Sequence, residues 1–238
     1  MIFIEIGAHH GQSLEVALNP KYAFKQFILF EPSSEANKYL KLFKDPRIKI
    51  FHFGLSDKDE ETELINSGAV GASIFPNKFN GKILPKEKIS LKNASRILGP
   101  FLYEQKVFIR INCEGSEVSI LQDLLKSKLL NANHSILVDF DIIRFNPSFS
   151  IKSLLKKLSK SKVRYYQGDH FKEKYTKASV REWLEFELKN QMAKVKFKQR
   201  VSYIFKTYYP LRRRVYKLIS EFIPIKIKSI LFRIIYRK

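Results

Sequence analysis

Short apolar blocks alternate with amphipathic ones along most of this chain, and the alternation predicts strands separated by helices. Ile2-Phe3-Ile4-Glu5-Ile6 is rich in β-branched residues and predicts a strand buried on both faces. Gly7-Ala8-His9-His10-Gly11 breaks it. Leu14, Val16, Ala17 and Leu18 then fall on a helix. Gln26 to Phe30 predicts a second strand. Ser33 or Ser34 caps the next helix, with Ala36, Tyr39, Leu40, Leu42 and Phe43 as its stripe, and Asp45-Pro46 ends it. Ile48 to Phe53 alternates as a third strand. Glu60 to Ile65 predicts a strand of a side hairpin, Ile89 to Leu91 a short strand, and Lys92 to Leu98 a helix closed by Gly99-Pro100. Val107 to Ile111 is apolar enough for a central strand, and Val118 to Leu125 is amphipathic. Ser135 to Asp141 predicts a fifth strand, with Asp139 and Asp141 on one face. A helix over 150–158, a strand over 163–167 and a helix over 179–188 continue the α/β alternation.

The first loop carries the first chemistry. Strand, glycine loop and helix open a nucleotide-binding α/β unit, because glycine lets the backbone turn sharply and approach a ligand. A dinucleotide fingerprint reads G-x-G-x-x-G and aims a helix N-terminus at a pyrophosphate. Here the spacing is E-x-G-x-x-x-G, from Glu5 through Gly7 to Gly11. A carboxylate at Glu5 repels phosphate and suits the ammonium of an amino acid. Glu31 ends the second strand, where an acid can take both hydroxyls of a ribose. These features favour S-adenosylmethionine, which has a ribose, an ammonium and no phosphate. An ordinary glycine-rich turn is the plain alternative. Ser56 and Asp57 follow the third strand at the edge where ligands gather, so they either reach an adenine or close a turn.

Composition adds further bounds. Cys113 is the one cysteine, so no internal disulfide is expected and a reducing compartment fits. No His, Asp or Glu cluster has the spacing of a metal site. No basic leader precedes the first strand, and no long uncharged apolar window occurs, so neither signal peptide nor membrane span is expected. The net charge of +21 is uneven: Lys196 to Lys238 holds thirteen Lys or Arg against Glu221 alone. The expected division is a domain over 1–190 and a basic helical tail over 191–238. In the tail, Leu211, Val215, Leu218, Ile219 and Phe222 form one apolar stripe, and Ile225, Ile227, Ile230, Leu231, Ile234 and Ile235 a second. Cations beside bulky aliphatics favour an anionic membrane surface, with the protein cytoplasmic and held peripherally at the inner face. Docking on the domain or on a second subunit ranks next. Nucleic acid ranks last, since the tail has no RNA-reading motif.

The motifs together resemble the FkbM family of S-adenosylmethionine-dependent methyltransferases, over roughly Ile2 to Phe145. Phe3 to Ser13 resembles its cofactor loop, with Glu5 where the family usually has Asp. Phe30-Glu31-Pro32 resembles its ribose-binding strand end, Gly54 to Asp59 the segment after the third strand, and Gly71-Ala72-Ser73-Ile74 its small-residue stretch. Arg110-Ile111-Asn112-Cys113-Glu114-Gly115-Ser116-Glu117 resembles the signature Lys-Ile-Asp-Val-Glu-Gly-x-Glu. The resemblance implies a Rossmann-like class I methyltransferase fold with a mostly parallel seven-stranded sheet. It also implies O-methyl transfer, often to a sugar or other small-molecule hydroxyl, here placed on a glycan or glycolipid precursor. It puts Glu5, Gly7, Ala8, His9, Gly11, Ser13, Glu31, Ser56 and Asp57 at the cofactor. His10, Asn112 and Glu114 are the catalytic candidates, His10 and Glu114 as general bases facing the crevice. Asn112 departs from the family's Asp; it hydrogen-bonds but is no base. As merely structural residues, Glu114 would bond backbone amides and Glu117 would lie on the helix surface.

Overall fold

β1 (Ile2–Ile6), β7 (Val107–Ile111) and β8 (His134–Val138) are each buried at every position, which is why they read as continuous apolar runs. They join β2 (Gln26–Phe30), β3 (Ile48–Phe51) and β9 (Arg164–Gln167) in a six-stranded sheet ordered β3-β2-β1-β7-β8-β9. Every pairing in it is parallel. This is the doubly wound, Rossmann-like order, with its switch point between β1 and β7. The sheet has six strands among the described residues, against the seven expected. The computed structural model describes residues 1–103, 105–140, 151–168 and 176–208.

Helices cover both faces. On one, α3 (Ala94–Leu102), α4 (Glu117–Lys126) and α5 (Ile151–Lys160) bury Leu98, Leu121 and Leu154 in a core with Ile4, Ile109 and Ile136. The other face is aromatic: Phe3, Phe24, Phe27 and Phe108 pack edge to face or tilted, and Trp183 lies against Phe3 and Phe108. The buried Trp183 indole donates to the Ser135 hydroxyl at 3.0 Å.

Some boundaries differ from expectation. Gly54–Ser56 is not a loop but β4, which pairs with β6 (Lys86–Asn93); β5 (Glu60–Ile65) completes a separate three-stranded sheet. α3 does not stop at Gly99-Pro100. It runs through Pro100 to Leu102, because Leu98 and Leu102 both reach the core and packing outweighs the lost amide. β8 ends at Val138, so Asp139 lies beyond the strand; Asp141 is outside the described residues.

The chain divides into compact units Met1–Phe186 and Glu187–Lys238. α6 spans Thr176–Tyr208, longer than the 179–188 expected. The predicted stripes from Leu211 to Ile235 lie outside the described residues. No helix among the described residues is long and apolar enough to cross a membrane.

Candidate functional site

The carboxyl ends of β1, β2 and β7 meet at the switch point, where open α/β sheets bind ligands. A cleft opens there, enclosing about 970 Å³ of space including its solvent-filled mouth. Three loops floor it: Gly7 to His9, Glu31 to Ser33, and Asn112 to Glu114. Gly7 holds the first and third together. Its φ is +81°, and a Cβ there would lie 2.8 Å from the Asn112 carbonyl carbon and 2.9 Å from the Cys113 Cα. The Asn112 amide donates to the Ile6 carbonyl at 3.0 Å.

Glu5 points into the cleft from β1 while only 3% exposed, and its Oε2 has no hydrogen-bond partner. Burial pushes its carboxyl up to about 7, against the pull of the Ser13 hydroxyl, Arg110 and the Leu14 amide. Glu31 is 5% exposed and tied down: Oε2 accepts the His9 amide at 2.7 Å, and Oε1 the Ser33 amide at 2.9 Å. Burial raises its carboxyl too. Asn37, a buried side chain on α2 (Ser34–Leu40), grips the Glu31 and Ser33 carbonyls at 2.6 and 2.8 Å. Two acids thus sit on rigid supports in one crevice, each with lone pairs for a donor.

The raised Glu5 carboxyl has a stability consequence. Between about pH 4.5 and 7 the folded chain holds a proton that the unfolded chain releases, so stability falls as pH rises through that window. Glu5→Gln removes the burden. The variant is expected to gain up to about 3 kcal/mol on the parent at pH 8, and little at pH 4. Urea titrations at the two pH values check it; an equal difference at both would refute the assignment.

The catalytic candidates fare unevenly. Asn112 and Glu114 line the cleft, but His10 does not. His10 stacks between His9 (3.9 Å) and Tyr39 (4.1 Å), and burial with the neighbouring His9 lowers its imidazole. His9 is the histidine that reaches the cleft, with Nε2 3.3 Å from the Gly68 carbonyl and Nδ1 3.4 Å from the Gln12 amide. Glu114, at φ 55°, pairs with Lys78 at 2.5 Å. The backbone amides expected for Glu114 go to Glu117, which does not lie on the helix surface. Glu117 is fully buried and takes the Cys113 and Gly115 amides at 3.0–3.1 Å, while Glu114 carries the ion pair. The register explains it: α4 starts at Glu117, so its side chain folds back over the loop it has just left.

Ala8 and Ser13 line the cleft; Gly11 does not, its φ of +83° serving the turn into α1 (Gln12–Ala17). Ser56 and Asp57 are also outside the cleft, because β4 diverts them to the second sheet, where the Ser56 hydroxyl donates to Asp57. That sheet instead supplies Leu64, Ile89 and Leu91 as an apolar wall. Arg110 and Lys78 are two further charged residues at the site, and no local pattern gives either its partner. Arg110 is fully buried and bridges the Ile111 carbonyl (2.8 Å) to the Asp139 carboxylate. No spacing signals Lys78, which lies 36 residues from Glu114. Among the described residues no cluster of His, Cys, Asp or Glu is arranged to hold a metal ion.

Fold and site together define a doubly wound α/β domain whose ligand cleft is acidic on its floor and apolar on one wall. No family model matches the chain, and no curated protein matches it. Among solved structures it is similar to the methyltransferase FkbM from Methylobacillus flagellatus KT, solved at 2.20 Å, with 19% identity and a TM-score of 0.35. That match covers 52% of this chain and 29% of the other, so this chain spans less than a third of its length.

Proposed function

We propose that this protein is an S-adenosylmethionine-dependent O-methyltransferase acting on a sugar or other small-molecule hydroxyl, the acceptor being part of a glycan or glycolipid precursor. One observation carries the reading: a buried, unpartnered carboxylate oxygen on Glu5 shares a cleft with Glu31 at the switch point of the sheet. An acidic floor disfavours phosphate and suits a nucleoside bearing an ammonium. The residues present fit that cofactor. Glu5 would take the ammonium, Glu31 the ribose hydroxyls, and the Leu64, Ile89 and Leu91 wall the flat base. When bound, the cofactor supplies an electrophilic methyl carbon. The chain's own part is to orient the acceptor oxygen and exclude water.

Calorimetry with S-adenosylhomocysteine tests the reading. Micromolar binding is expected, weakened at least tenfold in Glu31→Ala, since a site built to bond a hydroxyl loses its partner. Affinity is expected to rise with pH through about 7, as Glu5 ionises. Binding that ignores both the substitution and the pH would sink the proposal.

A second reading, a binding module without turnover, is favoured by the state of the three catalytic candidates. Asn112 cannot titrate, Glu114 is held by Lys78, and His10 lies outside the cleft. Tight binding without methyl transfer to any acceptor in a cell extract selects it. The basic tail on an anionic membrane, the partner expected for 196–238, belongs to the same proposal. Flotation of the full chain against one ending at Gln191 tests it.

A further inference from the structure

The described domain is polarised along its strands. Acids gather at the carboxyl edge, where Glu5, Glu31, Glu114 and Asp139 sit. The amino edge is the reverse. Arg47 leads into β3, Lys25 into β2 and Lys106 into β7, and Arg164 opens β9. The register sets these residues side by side: the Phe27 amide bonds the Arg47 carbonyl, the Lys25 amide the Met1 carbonyl, and the Ile2 amide the Lys106 carbonyl, each at 3.0 Å. Four of the six strands are therefore entered on a cation, and Lys49 adds another on β3. The acids of the same entry segments are Asp45, which Arg47 binds at 2.6 Å, and Glu104, which lies outside the described residues.

This edge is concave. A hollow of about 690 Å³, solvent at its mouth included, is lined by Lys25, Lys49 and Arg47, by Gln26 and Gln105, and by the apolar Met1, Ile2 and Pro46. Tyr103, two residues before Gln105 in the segment entering β7, is 74% exposed. Like charges brought side by side repel, and the carboxylate in this row is already bound by Arg47. A row of cations, with an exposed aromatic ring in the segment that enters β7, is equipment for a single-stranded nucleic acid. Cations follow the backbone, and a ring offers a stacking face. Strand-to-strand twist turns the row gradually, which suits a flexible strand. A bilayer would call for a protruding aliphatic ridge rather than a hollow.

We propose that the amino edge of the sheet, centred on Lys25 and Lys49, binds the phosphodiester backbone of a single-stranded nucleic acid. The strand is a tether and not the substrate, since the acidic cleft at the opposite edge repels phosphate. The tail's cations also attract RNA, so the test works within the full chain. Binding of labelled oligouridine is followed by anisotropy between about 50 and 200 mM salt, for the parent and for Lys25→Ala/Lys49→Ala. Both lysines are exposed, so the variant folds, and a thermal melt verifies it. Losing two phosphate contacts lowers the slope of log affinity against log salt by about 1.4, and weakens binding about 20-fold near 0.1 M salt. An unchanged slope and affinity would assign all binding to the tail and overturn the proposal. So would a full chain that ignores RNA while its two lysines govern binding to phosphatidylserine vesicles.

Discussion

Arg110→Met is expected to destabilise the folded chain by about 3 kcal/mol at pH 8, toward the low end for breaking a buried ion pair. The guanidinium is fully buried, donates to the Ile111 carbonyl, and binds the Asp139 carboxylate. It also faces Glu5, its register partner on β1, and favours the ionised form of that acid. Methionine fills much of the volume but leaves two carboxylates without a cation. The low end applies because Asp139 retains some solvent. Without Arg110, the Glu5 carboxyl rises further above 7, so the loss should shrink as pH falls toward 5 and Glu5 takes its proton. Urea titrations at pH 5 and 8 measure this. Adding Glu5→Gln should stabilise the Arg110→Met chain at pH 8 by more than it stabilises the parent, because loss of the cation makes an ionised Glu5 costlier to bury. Strict additivity of the two substitutions would mean that the pair does not interact.

Gly7→Ala should be as damaging, for a different reason. At φ +81° an L side chain is strained by about 1–3 kcal/mol. The added methyl group would also run into the Asn112 carbonyl and the Cys113 Cα, which are backbone and cannot swing aside. Overpacking of that kind costs about 1–3 kcal/mol more. A total near 4 kcal/mol is a large share of the stability of a domain this size. Relief requires the β1 and β7 loops to part, so any protein that folds should also lose affinity for a cleft ligand. A thermal melt and a titration with S-adenosylhomocysteine read the two effects. A variant with the parent's melting temperature would show that the close approach of the loops is not needed.

The strands of the main sheet were legible wherever they are buried on both faces. Ile2 to Ile6 and Val107 to Ile111 appear in the structure with their predicted bounds. Such runs need no partner to declare themselves, since burial on two sides demands apolar residues at every step. The side sheet was harder. Gly54–Ser56 is three residues long and polar at its end, so nothing in its pattern separates a strand from a turn. Its pairing with Leu91 to Asn93 is what makes it a strand. Among site residues, Glu5, Glu31 and Asn112 line the cleft because each lies at or just past the carboxyl end of a strand that the apolar pattern predicts. His10 does not line it: at the positive φ of His9 the loop turns so that the His9 ring borders the cleft and the His10 ring stacks behind it, against Tyr39.

Local pattern was enough to settle the α/β alternation, the parallel core and the two acids of the first two strands, because hydrophobic periodicity and strand ends are properties of neighbouring residues. The pairing of Glu114 with Lys78, the capture of the loop amides by Glu117, and the buried Arg110–Asp139 link came from the fold alone. Those contacts join positions 29 and 36 residues apart, or depend on which way a helix start turns one side chain. Charge partners chosen across such distances are set by the packing of the whole domain, and no window along the chain contains both halves of the choice.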